Sequence, residues 1–389
     1  MGPTQPVGLL ASVAVAGVIG LPDLDIDFGP MTALVGPRAS GKSQLLSAIA
    51  WLIAGRPPIV PAAHAAVTRV SGQIRVAGQM TSVERRPGAK LATALDGSKG
   101  LAVPTLSYLR ARDRFAPPRA TTGSVGARLA TITGQVTSDA MAAEGLLSAV
   151  EDCCRTSLSG EALLIEEPEL LLTPQAQRYL YRLLRRFADG GNQVVYSTRS
   201  AAFVDAAHHD EIVRLDLRLG RRSVRRTHPD ALSDAERVRL AAEFDHERSE
   251  MFFAQAVVLV EGQTERLSLP FIFRALGHDP DAEGVAIVEV GGKSNLPLAA
   301  RLLDELGIPF VVVFDADRGA ASAALDGEIR REANGAPVIR LEPDFETAAG
   351  LRSHDEKVFH AWQRFAGAGA EVIPPALANI VGVTSRLHI

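Results

Sequence analysis

Apolar positions along the chain fall into two kinds of run. Short runs, rich in β-branched residues and apolar at nearly every position, occupy residues 31–35, 162–165, 193–196, 256–260, 285–290, 308–314 and 338–341. Such runs describe strands buried on both faces, which is how a parallel sheet covered by helices reads. Longer segments separate them, and residues 44–52, 174–188, 265–276 and 296–306 are predicted as helices. Strand and helix alternate along most of the chain, so the expected class is α/β with βαβ crossovers. Three stretches depart from that pattern. Residues 68–76 alternate apolar with polar, which predicts an edge strand. Residues 214–226 carry six arginines, at 214, 218, 221, 222, 225 and 226, and alternate about Gly220 as an exposed hairpin would. That ribbon either grips phosphate or, as a solvated edge, is protected by its charge. Residues 233–247 open on Ser233 and Glu236, the capping pattern of a linker helix. A loop is predicted over 85–100, and Pro117 with Pro118 breaks the chain again.

Candidate chemistry sits where the strands end. Strand 31–35 runs into Gly36, Pro37, Arg38, Ala39, Ser40, Gly41, Lys42 and Ser43, and then into a helix. In such a loop the glycines let backbone N–H groups curl around phosphate, Lys42 reaches the β and γ phosphates, and Ser43 offers its hydroxyl to Mg²⁺. These eight residues are the candidate ATP-binding set. Strand 162–165 delivers Glu166 and Glu167, one carboxylate for Mg²⁺ and one to polarise an attacking water. The strand from Gln193 ends in Thr198, Arg199 and Ser200. This order resembles the head of ABC-type ATPases. The resemblance implies Glu166 as the metal-side acid, Glu167 as the catalytic one, and a γ-phosphate contact at Arg199, where that family usually has histidine. An arginine contacts phosphate better than a neutral histidine does. The signature segment of such heads has its best candidate at residues 137–140, with Ala140 in place of glycine, while residues 158–161 spell the motif but lie too close to the strand. Nucleotide binding is therefore expected, with weak hydrolysis or none.

A second set of acids ends two other strands. Strand 256–260 is followed by Glu261 and Gly262, with Glu265 one helical turn on, and strand 310–314 by Asp315 and Asp317. Ligands bind at the C-terminal ends of strands in open α/β sheets. If the two strands are neighbours, these carboxylates converge, and gathered carboxylates repel unless cations such as Mg²⁺ or Mn²⁺ lie between them. The implied chemistry is metal-assisted attack on a phosphodiester. A strand ending in Glu-Gly followed by one ending in Asp-x-Asp resembles the Toprim domain of topoisomerases, DnaG-type primases and certain nucleases. Residues 288–295 and 251–254, together with the ATPase half upstream, narrow the resemblance to the OLD (overcoming lysogenization defect) family of ATP-dependent nucleases. That resemblance implies a Rossmann-like Toprim domain in which Glu261, Glu265, Asp315 and Asp317 are catalytic and bind two divalent ions. It also implies a further metal ligand at Glu346, with Asp344 as second choice. Lys293, on a glycine turn, either meets a phosphate or serves solubility. The family's C-terminal lysine has its nearest counterpart in Lys357, without a matching motif.

Length and composition set the frame. The 389 residues suit two domains, expected as an ABC-like ATPase domain over 1–230, a linker helix over 231–250 and a Toprim nuclease domain over 251–389. Hydrophobic content of 47% with 22% charged residues describes a folded chain. Net charge is -4, with 29 Lys plus Arg against 25 Asp plus Glu in residues 1–249 and 12 against 20 in 250–389. A nucleic-acid partner would thus need local basic patches or bound metal ions. Cys153 and Cys154 are adjacent, without metal-ligand spacing, and read as helix residues of a protein in a reducing cytoplasm. The apolar run 9–20 lacks a basic lead and is shorter than the ~20 residues of a membrane span, so neither a targeting segment nor a membrane partner is expected. Four tyrosines and two cysteines leave little for topoisomerase or primase chemistry. The expected function is a DNA-cleaving endonuclease regulated by bound ATP, in phage defence or DNA repair, assembled as a homodimer or higher oligomer, with an accessory helicase or defence protein as a further partner. The alternative is a non-catalytic, SMC- or RecF-like module that binds DNA or protein.

Overall fold

A computed structural model describes residues 9–16, 23–54, 69–76, 79–85, 93–94, 105–109, 139–156, 159–218, 221–244, 246–317, 319–351 and 356–388. Tertiary contacts divide the chain into a first unit, residues 1–204 with 211–224, and a second, residues 205–210 with 225–389. The signature candidates over 137–138 and at Leu158, the break at Pro117 and Pro118, and Gly220 lie outside the described residues.

Two sheets and the helices packed on them make up the described part of the first unit. Strands β1 (Leu9–Ala16), β2 (Leu24–Asp27), β4 (Arg69–Val76), β5 (Gln79–Arg85) and β6 (Thr93–Ala94) form an antiparallel sheet in the order β2-β1-β4-β5-β6. β3 (Met31–Val35), β7 (Thr105–Leu109), β8 (Glu161–Glu166), β9 (Gln193–Ser197), β10 (Ile212–Arg218) and β11 (Arg221–Arg226) form a six-stranded sheet, order β11-β10-β3-β9-β8-β7. In it the pairs from β10 to β7 are all parallel. Helix α1 (Lys42–Ala54) is apolar around most of its circumference because residues of both sheets join it in one core. Helices α2 (Asp139–Arg155) and α3 (Pro174–Asp189) pack on each other, and Cys153 is buried in α2 while Cys154 is partly so.

Three expectations from the sequence need correction here. β4 is an interior strand, hydrogen-bonded to β1 on one side and β5 on the other. Its alternation correctly reports one buried face, with Val70, Gly72 and Ile74 inward, but alternation counts covered faces and not neighbouring strands. Nor is the arginine-rich segment simply an exposed hairpin. β10 lies inside the six-stranded sheet, and Arg214 is fully buried beside Asp216 at 3.5 Å. The stretch expected as a loop over 85–100 begins within β5, where the buried Arg85 guanidinium caps α1 by donating to Leu52 O at 3.3 Å, and it contains β6, which pairs with β5.

The second unit is a four-stranded parallel sheet with helices. Its helices before the sheet and along it are α4 (Asp234–Glu243), α5 (Gln263–Ala275), α6 (Pro280–Glu283), α7 (Leu296–Glu305), α8 (Ala320–Glu332), α9 (Phe345–Ala348), α10 (Lys357–Phe365) and α11 (Pro375–Ser385). Its strands are β12 (Ala256–Val260), β13 (Val285–Glu289), β14 (Phe310–Asp315) and β15 (Val338–Leu341), in the order β13-β12-β14-β15. Strands β12 and β14 are therefore neighbours, with Val257 opposite Phe310 and Leu259 opposite Val312. Both are buried along their apolar length, as runs covered on two faces must be. The capping box at Ser233 and Glu236 is present, and α4 is tied into this unit by Glu236 to Arg301 at 3.1 Å and by Arg239 to Ser294 at 2.6 Å. Among the described residues no helix is long and apolar enough to cross a membrane.

Candidate functional site

The phosphate loop leaves the six-stranded sheet on the same edge as Glu166 and Glu167. Leu34 of β3 stands opposite Ser197 of β9, and Ser197 opposite Glu166 of β8, so the loop, the Glu166–Glu167 pair and Arg199 emerge along one edge. Gly36 has φ +130°, and a Cβ there would fall 1.9 Å from the Leu215 carbonyl oxygen, so the position excludes every side chain. Gly41 (φ 109°) and Ala39 (φ 65°) complete the positive-φ turn. Lys42 is buried and folds back over the loop, donating to Gly36 O at 2.7 Å, Pro37 O at 2.8 Å and Ser40 Oγ at 3.4 Å. Burial, then the Arg199 charge, lowers its pKa to about 8. Arg38 and Ser43 are exposed.

Opposite the loop, Arg199 pairs with Glu167 at 2.9 Å, and Glu167 takes φ +46°, an uncommon conformation for a residue with a side chain and one found at functional sites. Glu166 accepts a hydrogen bond from the Tyr108 hydroxyl at 2.7 Å. Glu169 fastens the end of β9 by accepting from Arg199 N at 2.8 Å and Thr198 Oγ1 at 3.0 Å, and burial raises its pKa. Sequence reasoning missed Tyr108, Glu169 and Arg214 as parts of this edge. Arg214 was legible as an arginine among apolar strand residues, but its influence on Lys42, whose pKa it helps to lower, depends on β10 lying beside β3.

In the second unit, the acids predicted from strand ends are brought together. Glu261 follows β12 and its Oε1 accepts from Asp315 N, at the end of β14, at 2.8 Å. Asp315 Oδ1 in turn accepts from Phe345 N at 2.9 Å, which ties β14 to the start of α9. Glu265, in the first turn of α5, and Glu346, in α9, are both buried. Burial is the first cause of a raised pKa at Glu261, to about 7, and at Asp315, to about 8. Neighbouring charge adds to it: Asp315 is opposed by Glu265, Glu261 and Glu346, and Glu261 by Asp317 and Glu265. Glu265 is raised by burial and then by Glu346. Asp344 has another task, capping α9 by accepting from Thr347 N at 2.7 Å.

Two lysines neutralise the cluster. Lys293 is buried, so it is not a solubility residue, and its ammonium meets Asp315 O at 2.7 Å, Asp317 Oδ2 at 3.2 Å, Asp326 Oδ1 at 2.9 Å and Ser322 Oγ at 3.2 Å. Lys357 pairs with Glu346 Oε1 at 2.8 Å. Among the described residues, no group of three or more Asp, Glu, His or Cys is arranged to hold a metal ion. The donor set nonetheless fits a hard divalent cation: it consists of carboxylate oxygens, and at Glu261, Glu265 and Asp315 burial, with the neighbouring carboxylates adding to it, raises the pKa, a cost of charge that a bound cation relieves.

Residues 252–317, spanning β12 to Asp317, match the family model described as overcoming lysogenization defect protein-like, TOPRIM domain. The second unit carries an OLD-like TOPRIM domain. The chain is 41% identical over 176 residues to an OLD nuclease of Thermus scotoductus (strain ATCC 700910 / SA-01), covering 44% of this chain and 33% of that one. It is 27% identical over 164 residues to the Old nuclease of Escherichia phage P2, covering 41% and 28%. The matches thus span a third or less of the length of these curated relatives. Among solved structures, the SMC head domain from Thermotoga maritima aligns with 56% of this chain and 99% of its own at 15% identity, with a TM-score of 0.37. In the first unit, β3, the loop from Gly36 to Gly41 and α1 follow one another in the strand, loop and helix order of a phosphate-binding loop.

Proposed function

We propose that the chain is an ATP-binding, divalent-metal-dependent endonuclease that cleaves DNA at the TOPRIM carboxylates under control of the ABC-like head. The observation that carries this reading is the convergence of Glu261, Glu265, Asp315 and Glu346 from four elements at the C-terminal ends of β12 and β14. The names of the two nuclease relatives support it. Mg²⁺ or Mn²⁺, two per site, would be held by Glu261, Glu265, Asp315, Asp317 and Glu346 and would supply activation of water and stabilisation of the leaving oxygen. The chain's own residues supply the rest. Asp315, tied to Phe345 N, and Glu261, tied to Asp315 N, hold the reacting edge rigid. Lys293 fixes Asp317, and Lys357 balances Glu346.

In the head, Gly36 through Ser43, with Glu166 as metal-side acid and Arg199, form the Mg-ATP site, and Glu167 positions water for any hydrolysis. Because the phosphate loop is intact while the signature candidate has Ala140 in place of glycine, nucleotide serves as a bound signal more than as fuel. The domains are taken as 1–230 and 251–389, joined by 231–250, in a cytoplasmic homodimer or higher oligomer that works with an accessory helicase or defence protein. Cleavage of plasmid DNA by the purified chain with Mg²⁺ or Mn²⁺, abolished by Asp315→Asn or by EDTA with the circular dichroism spectrum unchanged, is the expected result. Equal nicking by wild type and variant would overturn the reading and leave a nucleotide-binding module.

A further inference from the structure

Helix α10 has a face that the fold does not use. Ala361 and Phe365 are buried, and Phe365 belongs to the core of the second unit. Phe359 and Trp362, three positions apart and hence neighbours on the helix surface, are 49% and 47% exposed. Their rings stack with centroids 6.4 Å apart and planes at 23°. The chain has two tryptophans, and the other, Trp51, is buried, so the exposed one is not the product of a tryptophan-rich surface. Clustered exposed apolar surface of this kind marks a ligand or partner. The rings border an open groove of about 820 Å³ that is also lined by Leu267, Lys357 and Glu356, large enough for a nucleotide.

Two observations indicate what the groove takes. Lys357, the first residue of α10, is bonded to Glu346 at 2.8 Å, so groove and carboxylate site are contiguous. Helix α10 itself carries Lys357 and Arg364 and no acid, although Glu356 directly before it also lines the groove and residues 250–389 hold 12 basic against 20 acidic side chains. Lys357, paired with Glu346, and Arg364 are thus the cations that α10 offers to the backbone of a polyanion beside the carboxylate site. An aromatic pair flanked by cations is the combination that binds unpaired nucleotides, because every base offers a π-face and the backbone offers charge.

We propose that Phe359 and Trp362 form a stacking platform for an unpaired nucleobase next to the phosphodiester at the TOPRIM carboxylates, so that the strand cut is single-stranded or locally melted. This rests on the nuclease reading for the position of the phosphodiester, but the platform itself is a binding site. A duplex keeps its bases stacked on one another and presents no free face, so the platform selects unpaired over paired substrate.

The test uses the intact chain carrying Asp315→Asn, so that scission does not consume the ligand, titrated with a twelve-nucleotide oligo(dT) in Mg²⁺. Because Trp51 is buried, quenching of tryptophan fluorescence on binding reports Trp362. Quenching is expected with oligo(dT) and not with a twelve-base-pair duplex. Trp362→Ala should weaken oligo(dT) affinity, measured by anisotropy of a labelled strand, by about 5- to 150-fold, the loss that removal of one stacked base gives, while Trp362→Phe retains most of it. Should Trp362→Ala misfold, Phe359→Ala gives the same comparison. The proposal is overturned if both alanine variants bind oligo(dT) as tightly as their parent, or if duplex quenches as strongly as the single strand. It is equally overturned if the substitution changes only the mass of the protein in light scattering, which would make the face an interface between copies. Quenching by oligo(dT) in a chain whose wild type cuts no nucleic acid would sink the nuclease reading and leave the platform standing.

Discussion

Asp315→Asn should make the second unit more stable while it removes activity. The carboxyl lies half-buried at the end of β14, and its pKa is raised from 3.8 to about 8 by burial and then by Glu265, Glu261 and Glu346. Asparagine is nearly isosteric and keeps an oxygen to accept from Phe345 N, the bond that Asp315 makes at 2.9 Å, but it carries no charge. The sign follows from linkage. A folded-state pKa above the unfolded one means that the stabilising, protonated form is fully present below pH 3.8 and is lost as pH rises through about 8. Taken at face value the shift corresponds to roughly 6 kcal/mol, and solvent screening at a partly exposed site reduces it to about 1–3 kcal/mol. At about 2–4 °C per kcal/mol for a unit of this size, the variant should melt roughly 3–10 °C above wild type at pH 8 in EDTA. The difference should shrink towards zero near pH 4. Thermal unfolding followed by circular dichroism at pH 4, 6 and 8 measures it. A variant that melts at or below the wild-type temperature at pH 8, or a gap independent of pH, would refute the account of a cluster strained by its own charge.

Three further expectations follow from the same geometry. Divalent ions should reverse the alkaline weakness: with Mn²⁺ at a hundred times its Kd, stabilisation approaches about 2.7 kcal/mol at pH 8, but at pH 5, where Glu261 and Asp315 are protonated, the melting temperature should barely respond. Gly36→Ala places a methyl 1.9 Å from Leu215 O in a backbone with φ +130°, so it should cost on the order of 3 kcal/mol and abolish binding of a fluorescent ATP analogue. Lys42→Ala removes the ammonium that bridges Gly36 O, Pro37 O and Ser40 Oγ and should change the ATP dependence of plasmid cleavage more than its maximal rate. An unaltered ATP response would separate the loop from regulation.

The strands that carry chemistry were legible because burial on both faces forces a dense local signal. Residues 31–35, 256–260 and 338–341 coincide with β3, β12 and β15, and Glu261 follows β12 while Asp315 ends β14 at the open end of the sheet. The same logic failed for β4, since a half-buried strand looks alike at the edge and in the interior. It also misjudged Arg214, because an arginine-rich sequence reports charge and not whether a neighbouring strand will cover it. Lys293 and Lys357 were only options on the sequence. What gives them a role is position: β12 beside β14 brings Asp315 and Asp317 over Lys293, and α10 brings Lys357 to Glu346.

The amino-acid order alone determined which residues could bind phosphate and which could hold cations, since a loop with glycines at Gly36 and Gly41 and a lysine at Lys42, or a carboxylate directly after a buried strand, is a short-range pattern. Only tertiary structure decided which carboxylates oppose one another, which lysine answers each of them, and that one helix leaves Phe359 and Trp362 in water beside them. The reason is that charge repulsion and solvent exposure depend on distances of a few ångströms between segments far apart in the chain, and no local pattern encodes such distances.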